Sequence, residues 1–340
     1  MVDIKPEIRY YNNCMREQVL KYLQQEKHVS GEELGKRLKI SRTAVWKHVK
    51  ELRKLGYQIE SSTKSGYTFM QNPDLLLAEE IENGLITKVM GKNIRHFVQV
   101  SSTQDIASEL AKKGLPEGTL VIAEMQTQGR GRKGREWISV PDGGLYFSLI
   151  LRPKLLPSQV VQIPLIASVA VVKAIKNTVP LNPEIKWPND IFVGDKKAGG
   201  ILTEMSSEID GVNYVILGVG LNVNIPASFL AEKTGGIATS LINEVGKPVS
   251  RTQIMRHFLV QFENIYNQFV TSGFSSVREE WKNLNNTIGA WVKISDGTRE
   301  FEGEAVDIDE RGFLLVRTDN SRIHQIVSGD VTLRIRADKH

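Results

Sequence analysis

A chain of 340 residues exceeds one ordinary domain, and its 41% apolar content can fill more than one core, so two or three domains are expected. There is no run of ~18 apolar residues to cross a membrane and no charged-then-apolar leader. The single cysteine, Cys14, excludes an internal disulfide, and together these features suit the cytoplasm. The net charge of +5 is unevenly placed: residues 1–71 hold 14 Lys and Arg against 8 Asp and Glu, and the remainder 30 against 31. A polyanionic partner is therefore expected of the first fifth and not of the molecule at large.

Met15 to Lys27 carries Val19, Leu20 and Leu23 at helical spacing. Ser30 with Glu33 reads as a capping box that opens a short helix through Leu38. Ser41 caps a third helix whose apolar positions Ala44, Val45, Val49 and Leu52 share one face, leaving Arg42, Thr43, Lys47, Lys50 and Arg53 largely on others. Gly56 stops it, and two short strands, Tyr57 to Ser61 and Gly66 to Met70, flank a turn with Lys64 at its tip. This is a winged helix-turn-helix, in which the third helix enters the major groove. Arg42, Thr43, Lys47, Lys50 and Lys64 are the expected DNA-binding residues, Trp46 a packing residue, and His48 packed or facing the backbone. A protein-interaction module has the same pattern, but the basic excess favours DNA.

Asn72-Pro73-Asp74 breaks the pattern before a linker helix, Leu75 to Asn83. A strand over Ile94 to Val100 then runs into Ser101-Ser102-Thr103-Gln104 and a helix to Lys113. Hydroxyls at such a junction either cap the helix or point into a pocket. Strands over Thr119 to Met125 and Leu145 to Leu151 enclose Gln126 to Trp137, in which three glycines alternate with three arginines and a lysine. Glycine admits close backbone approach and the cations surround an anion; a solvated basic loop would look the same in isolation.

An apolar helix over Gln159 to Asn177 is expected to be buried against a sheet. Next comes Ile185-Lys186-Trp187-Pro188-Asn189-Asp190, a lysine within an apolar strand, where an unpaired buried charge would be costly. Strands at Ala198 to Glu204 and Val212 to Asn224 contain Gly199-Gly200 and Gly218-Val219-Gly220-Leu221-Asn222. Glycines two apart on one strand face leave room for a ligand or for close-packed backbone. Pro226 to Ile237 reads as a lid-like loop, followed by helices over Arg251 to Val270 and Val277 to Leu284. From Ile288 the texture changes to short strands: Trp291 to Ile294, an Asp296-Gly297 turn, Phe301 to Ile308, Phe313 to Arg317 and Ile323 to Ile326, enough for a small barrel.

Several of these pieces, in this order, resemble the bifunctional biotin protein ligases that also act as biotin operon repressors. They are Ser41-Arg42-Thr43-Ala44-Val45-Trp46-Lys47-His48, Ser101-Ser102-Thr103, Gly129-Arg130-Gly131-Arg132-Lys133-Gly134-Arg135 with Trp137, Lys186-Trp187-Pro188-Asn189-Asp190, Gly200-Ile201-Leu202 and Gly220-Leu221-Asn222. The resemblance covers essentially the whole chain; Gly199 departs from it, standing where the family more often has a larger residue.

The resemblance implies a multidomain α+β protein: a winged helix-turn-helix over 1–71, a mixed-sheet α/β catalytic domain of the biotin/lipoate ligase superfamily over 72–286 with a linker helix at 72–88, and an SH3-like barrel over 287–340. It implies two half-reactions, biotin with MgATP giving biotinyl-5′-AMP, then transfer to a lysine of a biotin carboxyl carrier protein domain. By resemblance, Ser102, Thr103, Gln104, Gln126, Gly131 and Gly200 hold biotin, Arg130, Arg132 and Lys186 meet its carboxylate and the α-phosphate, and Arg132, Arg135, Trp137, Lys186 and Asn222 hold the nucleotide. No protein ligand is assigned to Mg2+. Operator DNA and a ligand-promoted homodimer are the further implied partners, with the adenylate as corepressor. The rival reading is a ligand-sensing transcription factor without ligase activity.

Overall fold

The computed structural model describes residues 14–26, 28–54, 57–62, 66–71, 74–208, 211–295, 300–327 and 329–334. Gly56, Lys64, Asn72-Pro73 and Asp296-Gly297, all singled out above, lie outside them. The chain divides into two compact units, Met1–Leu75 and Leu76–His340.

The first unit contains α1 (Cys14–Glu26), β1 (His28–Val29), α2 (Gly31–Leu38), α3 (Arg42–Lys54), β2 (Gln58–Ser62) and β3 (Gly66–Gln71). Val19, Leu20, Leu23, Leu34, Val45, Val49 and Leu52 are buried together, one row from each helix. Ser30 Oγ accepts from the Glu33 amide (3.0 Å) and Ser41 Oγ from the Ala44 amide (3.1 Å), so both helix starts are where the hydroxyls predict them. A β-carbon on Gly35 would stand 2.8 Å from the Ile40 carbonyl oxygen, which is why the turn into α3 passes so close to α2. β1 is the element the sequence hides. At two residues it has no pattern of its own, and it exists only by pairing with β3, His28 opposite Thr68 and Val29 opposite Tyr67. Trp46 is not a packing residue: it faces away from Val45, Val49 and Leu52 and is 49% exposed.

The second unit opens with α4 (Ala78–Glu82), shorter than the predicted linker helix because Leu76 and Leu77 enter the core in extended form. A seven-stranded sheet follows from β4 (Asn93–Val100), β5 (Thr119–Gln126), β6 (Gly144–Leu151), β7 (Glu184–Lys186), β8 (Asp190–Val193), β9 (Lys196–Glu208) and β10 (Gly211–Asn222), with α5 (Thr103–Lys112) and α6 (Ile163–Lys176) between strands. Its order is β4-β5-β6-β10-β9-β8-β7, with β4 and β5 parallel and every other pair antiparallel. Alternation along β5 sends Leu120 and Ile122 to the main core and Val121 to a second cluster under Ala107 and Ala111 of α5. With both faces covered, β6 is buried throughout.

The predicted helix over 159–177 is divided: residues 157–162 form a 3-10 segment and α6 starts at Ile163, with Pro164 in its first turn where a missing amide costs nothing. The stretch from Pro157 to Lys176 is apolar and long enough to cross a membrane by composition, but 72% of its most apolar 18-residue window is buried in the core. The expected lid loop is instead α7 (Ala227–Thr234), anchored by buried Leu230 and ended by left-handed Gly235. Then come α8 (Leu241–Val245), α9 (Arg251–Ser272) and α10 (Ser275–Asn283).

β11 (Trp291–Ser295), β12 (Glu300–Ile308), β13 (Leu314–Arg317), β14 (Ile323–Ile326) and an unforeseen β15 (Asp330–Arg334) make a five-stranded antiparallel sheet, order β14-β13-β12-β11-β15. Among the described residues no ladder joins β14 to β15. Its buried Val292, Ile294, Leu314 and Val316 belong to the same contiguous core as the larger sheet. Trp187 Nε1 donates to the Gly312 carbonyl (3.0 Å) and Arg278 Nε to that of Ile308 (2.8 Å).

One buried ion pair ties the second unit together. Arg251, fully buried at the start of α9, donates to Glu124 of β5 (2.7 Å) and to the Gly144 carbonyl (3.1 Å). The same carboxylate accepts from the Leu76 amide (2.9 Å) and His96 Nε2 (3.2 Å). Burial would raise the Glu124 carboxyl, but the bond from His96, the Arg251 charge and the Leu76 amide outweigh it and hold the group at about 2.

Candidate active site

A cavity of about 830 Å3 opens where β4 meets α5, beside the loop after β5, the β7–β8 hairpin, the glycines of β9 and β10, α7 and β15. Every residue predicted to hold biotin or the nucleotide lines it, from Ser102 in the first strand-to-helix turn to Asn222 at the end of β10.

One end is a buried hydroxyl and amide network. The Thr103 amide donates to Gln126 Oε1 (2.8 Å), the Thr103 and Ser148 hydroxyls are 2.9 Å apart, and Ser148 donates to Gln104 Oε1 (2.9 Å). Ser148 went unnoticed in the sequence because it lies within an apolar strand with no neighbouring motif. Ser102 occupies the cap position of α5 without capping it, so of the two roles open to that hydroxyl the capping one is not taken. Ser102 Oγ and Gln104 Nε2 are buried with no protein partner. Unsatisfied buried polar groups are costly, and here both border a cavity, where a polar ligand can meet them. Gly218 makes this end possible: a β-carbon there would lie 2.8 Å from Gln104 Oε1.

The basic loop folds back on itself. Gly131 donates to the Arg135 carbonyl (2.7 Å), Trp137 to that of Gly129 (2.9 Å), and residues 132–134 form a 3-10 turn with Lys133 at φ 56° and Gly134 at φ 71°. Arg130 is clamped by Asp105 (2.7 and 2.9 Å) with Glu204 3.5 Å away, and these carboxylates raise its pKa further. Its guanidinium thus ties the loop to α5. Arg132 donates to Asn189 Oδ1 (3.0 Å), and Asn189 in turn donates to the Ile201 carbonyl (2.7 Å). The Lys-Trp-Pro-Asn motif therefore divides its work: Lys186 borders the cavity, Trp187 is pinned to the C-terminal sheet, and Asn189 positions Arg132.

Trp137 lies against the paired glycines of β9 and β10. Gly200 stands opposite Gly220, and a β-carbon on Gly220 would be 2.5 Å from the indole. The alternate glycines are thus explained by two side chains, Gln104 and Trp137, packed directly on backbone. Lys197, which belongs to no motif in the sequence, sits 5.8 Å above the Trp137 ring centre and 2.6 Å from Asp190 Oδ1. Lys186 Nζ is 5.0 Å from the Phe192 ring centre. Asn222 donates to the Thr239 carbonyl (3.0 Å), fixing the segment after α7 against the strand end. Among the described residues no group of three or more His, Cys, Asp or Glu side chains is placed to hold a metal.

Through one cavity a polar pocket is joined to a glycine-rich cationic loop, an arrangement that can hold a ligand uncharged at one end and anionic at the other. Residues 97–222 match the Biotin/lipoate A/B protein ligase family, residues 15–68 an HTH domain, and residues 287–334 the Biotin protein ligase C terminal domain. The chain belongs to the biotin protein ligase family, on its bifunctional ligase/repressor branch. It is 42% identical over 305 residues to the bifunctional ligase/repressor BirA of Bacillus subtilis, covering 90% of this chain and 94% of that one, and 27% identical over 305 residues to that of Escherichia coli, covering 90% and 92%. The biotin protein ligase from Aquifex aeolicus in complex with biotin and ATP matches with a TM-score of 0.61 at 31% identity, covering 72% of this chain and 99% of that one.

Proposed function

We propose that the chain activates biotin with ATP and transfers the biotinyl group to a lysine of a biotin carboxyl carrier protein domain. The observation that carries this reading is the single cavity with buried, unpartnered Ser102 Oγ and Gln104 Nε2 at one end and the arginine loop and lysines at the other. Ser102, Thr103, Gln104 and Gln126 bind the ureido head, with Gly131 and Gly200 giving the bicyclic body close approach. Arg132, Lys186 and Lys197 gather the biotin carboxylate and the α-phosphate; Arg130, held by Asp105, positions the loop. Arg135, Trp137 and Asn222 hold the nucleotide, and Mg2+ enters as the counter-ion of ATP.

A carboxylate oxygen forms a bond to the α-phosphorus as the bond to pyrophosphate breaks. The carrier lysine amine then attacks the carbonyl carbon, AMP leaves, and the amine gives up a proton as the amide forms. Both steps move negative charge, so fixed cations and positioning supply the catalysis without a covalent enzyme intermediate.

In the first unit Arg42, Thr43, Lys47 and Lys50 are exposed along α3, and with Lys64 they bind operator DNA, biotinyl-5′-AMP acting as corepressor through a homodimer in the cytoplasm. Incubation with labelled biotin, ATP and a carrier domain tests the chemistry. Label on the carrier lysine is expected, and pyrophosphate without the carrier. A protein that binds biotin yet releases no pyrophosphate is a ligand sensor and not a ligase.

A further inference from the structure

The outward face of α3 is a single row. Thr43, Trp46, Lys47 and Lys50 are exposed at positions i, i+3, i+4 and i+7, opposite buried Val45, Val49 and Leu52. Trp46 is the apolar member, and the Lys50 ammonium stands 5.1 Å from its ring centre. That cation–π contact orients the indole and covers one side of it while the rest faces outward. The helix has one acidic residue, Glu51, beside five basic ones, and residues 1–71 carry the +6 excess, so the surface around the indole suits a polyanion better than a protein.

We infer that Trp46 determines operator specificity, packing its indole against a thymine 5-methyl group in the major groove while Lys47 and Lys50 neutralise the flanking phosphates. The inference rests on the DNA-binding reading and adds to it a base-reading residue. Lysine–phosphate contacts carry no sequence information, whereas an apolar contact in the major groove tells thymine from the other bases by its methyl group.

The test uses the full chain with biotin and ATP. Duplexes are selected from a randomised library with the wild-type protein, and the selected duplex is remade with deoxyuridine in place of thymidine at one position at a time. One such replacement is expected to weaken wild-type binding about tenfold, the usual size of one lost base contact. Trp46→Ala should bind the thymine and uracil duplexes alike, and Trp46→Phe should keep most of the preference. All three proteins should share one salt slope, because phosphate contacts are unchanged. Trp46→Ala with an intact thymine preference overturns the inference and leaves DNA binding standing. Altered self-association of Trp46→Ala with an unaltered preference overturns it too, and makes the row a protein contact. A wild-type protein that selects no sequence and has a flat salt response removes the DNA reading itself.

Discussion

At the residue scale the site turns on which cations meet the developing charge. Lys186 is prominent in the sequence because a lysine in an apolar strand is conspicuous, but in the fold Lys197 has an equal claim, bordering the same cavity between Asp190 and Trp137. Lys197 was illegible because Asp195-Lys196-Lys197 reads as a solvated turn. Lys186→Ala and Lys197→Ala are each expected to lose ~3 kcal/mol of transition-state stabilisation, about two orders of magnitude in pyrophosphate release, with the fold intact. Near-normal turnover of either variant removes that lysine from the chemistry. Gly220→Ala acts differently, since its β-carbon meets the indole at 2.5 Å and must displace Trp137. The KM for ATP should rise at least several-fold while biotin binding measured without ATP is kept. An unchanged KM for ATP would mean that Trp137 does not support the nucleotide.

At the scale of elements, what the sequence disclosed was what local patterning controls. Helices with long apolar stripes and capping hydroxyls, and strands with alternating or continuous apolar runs, fall within a few residues of expectation. β1, β15 and α8 are short and owe their form to neighbours, while Leu230 and Gly235 made a helix of a stretch whose polar composition resembled a loop. The chemistry-bearing motifs were legible because glycine and arginine types at fixed spacing have few other uses; Ser148 and the Glu124–Arg251 pair were not, because their meaning is three-dimensional. That pair carries a pH signature. The Glu124 carboxyl falls from the ordinary 4.5 to about 2 on folding, so its contribution is complete above ~4.5 and is lost as pH falls through ~2. The shift corresponds to about 3 kcal/mol. Glu124→Gln should therefore lower the urea midpoint clearly at pH 7, and the gap from wild type should narrow on acidification below ~4.5. A gap independent of pH would mean that the carboxylate's charge is not what β5 and α9 share.

At the scale of the whole molecule, charge and chemistry segregate: the basic excess lies before residue 72, and among the described residues those that line the cavity all come after 101. A chain of residues 76–340 keeps every described residue of the cavity lining and the buried Glu124–Arg251 pair, so it is expected to release pyrophosphate from biotin and ATP at a rate within a few-fold of the full chain and to lose operator binding. Loss of all ligase activity by a folded fragment would mean that the first unit takes part in the chemistry. The proposed homodimer suits repression, since a single winged helix reads about half a site and a two-fold pair matches a pseudo-palindrome. If the adenylate is the corepressor, it must favour the paired state over the single one, because a ligand with equal affinity for both shifts nothing. Couplings of this kind amount typically to ~1 to 3 kcal/mol, a 5- to 150-fold change in dimer affinity that sedimentation can resolve. The weight-average mass should rise little with biotin alone and clearly with a non-hydrolysable biotinyl-adenylate analogue. Equal self-association without ligand, with biotin and with the analogue would show that the adenylate controls DNA binding by a route other than dimerisation.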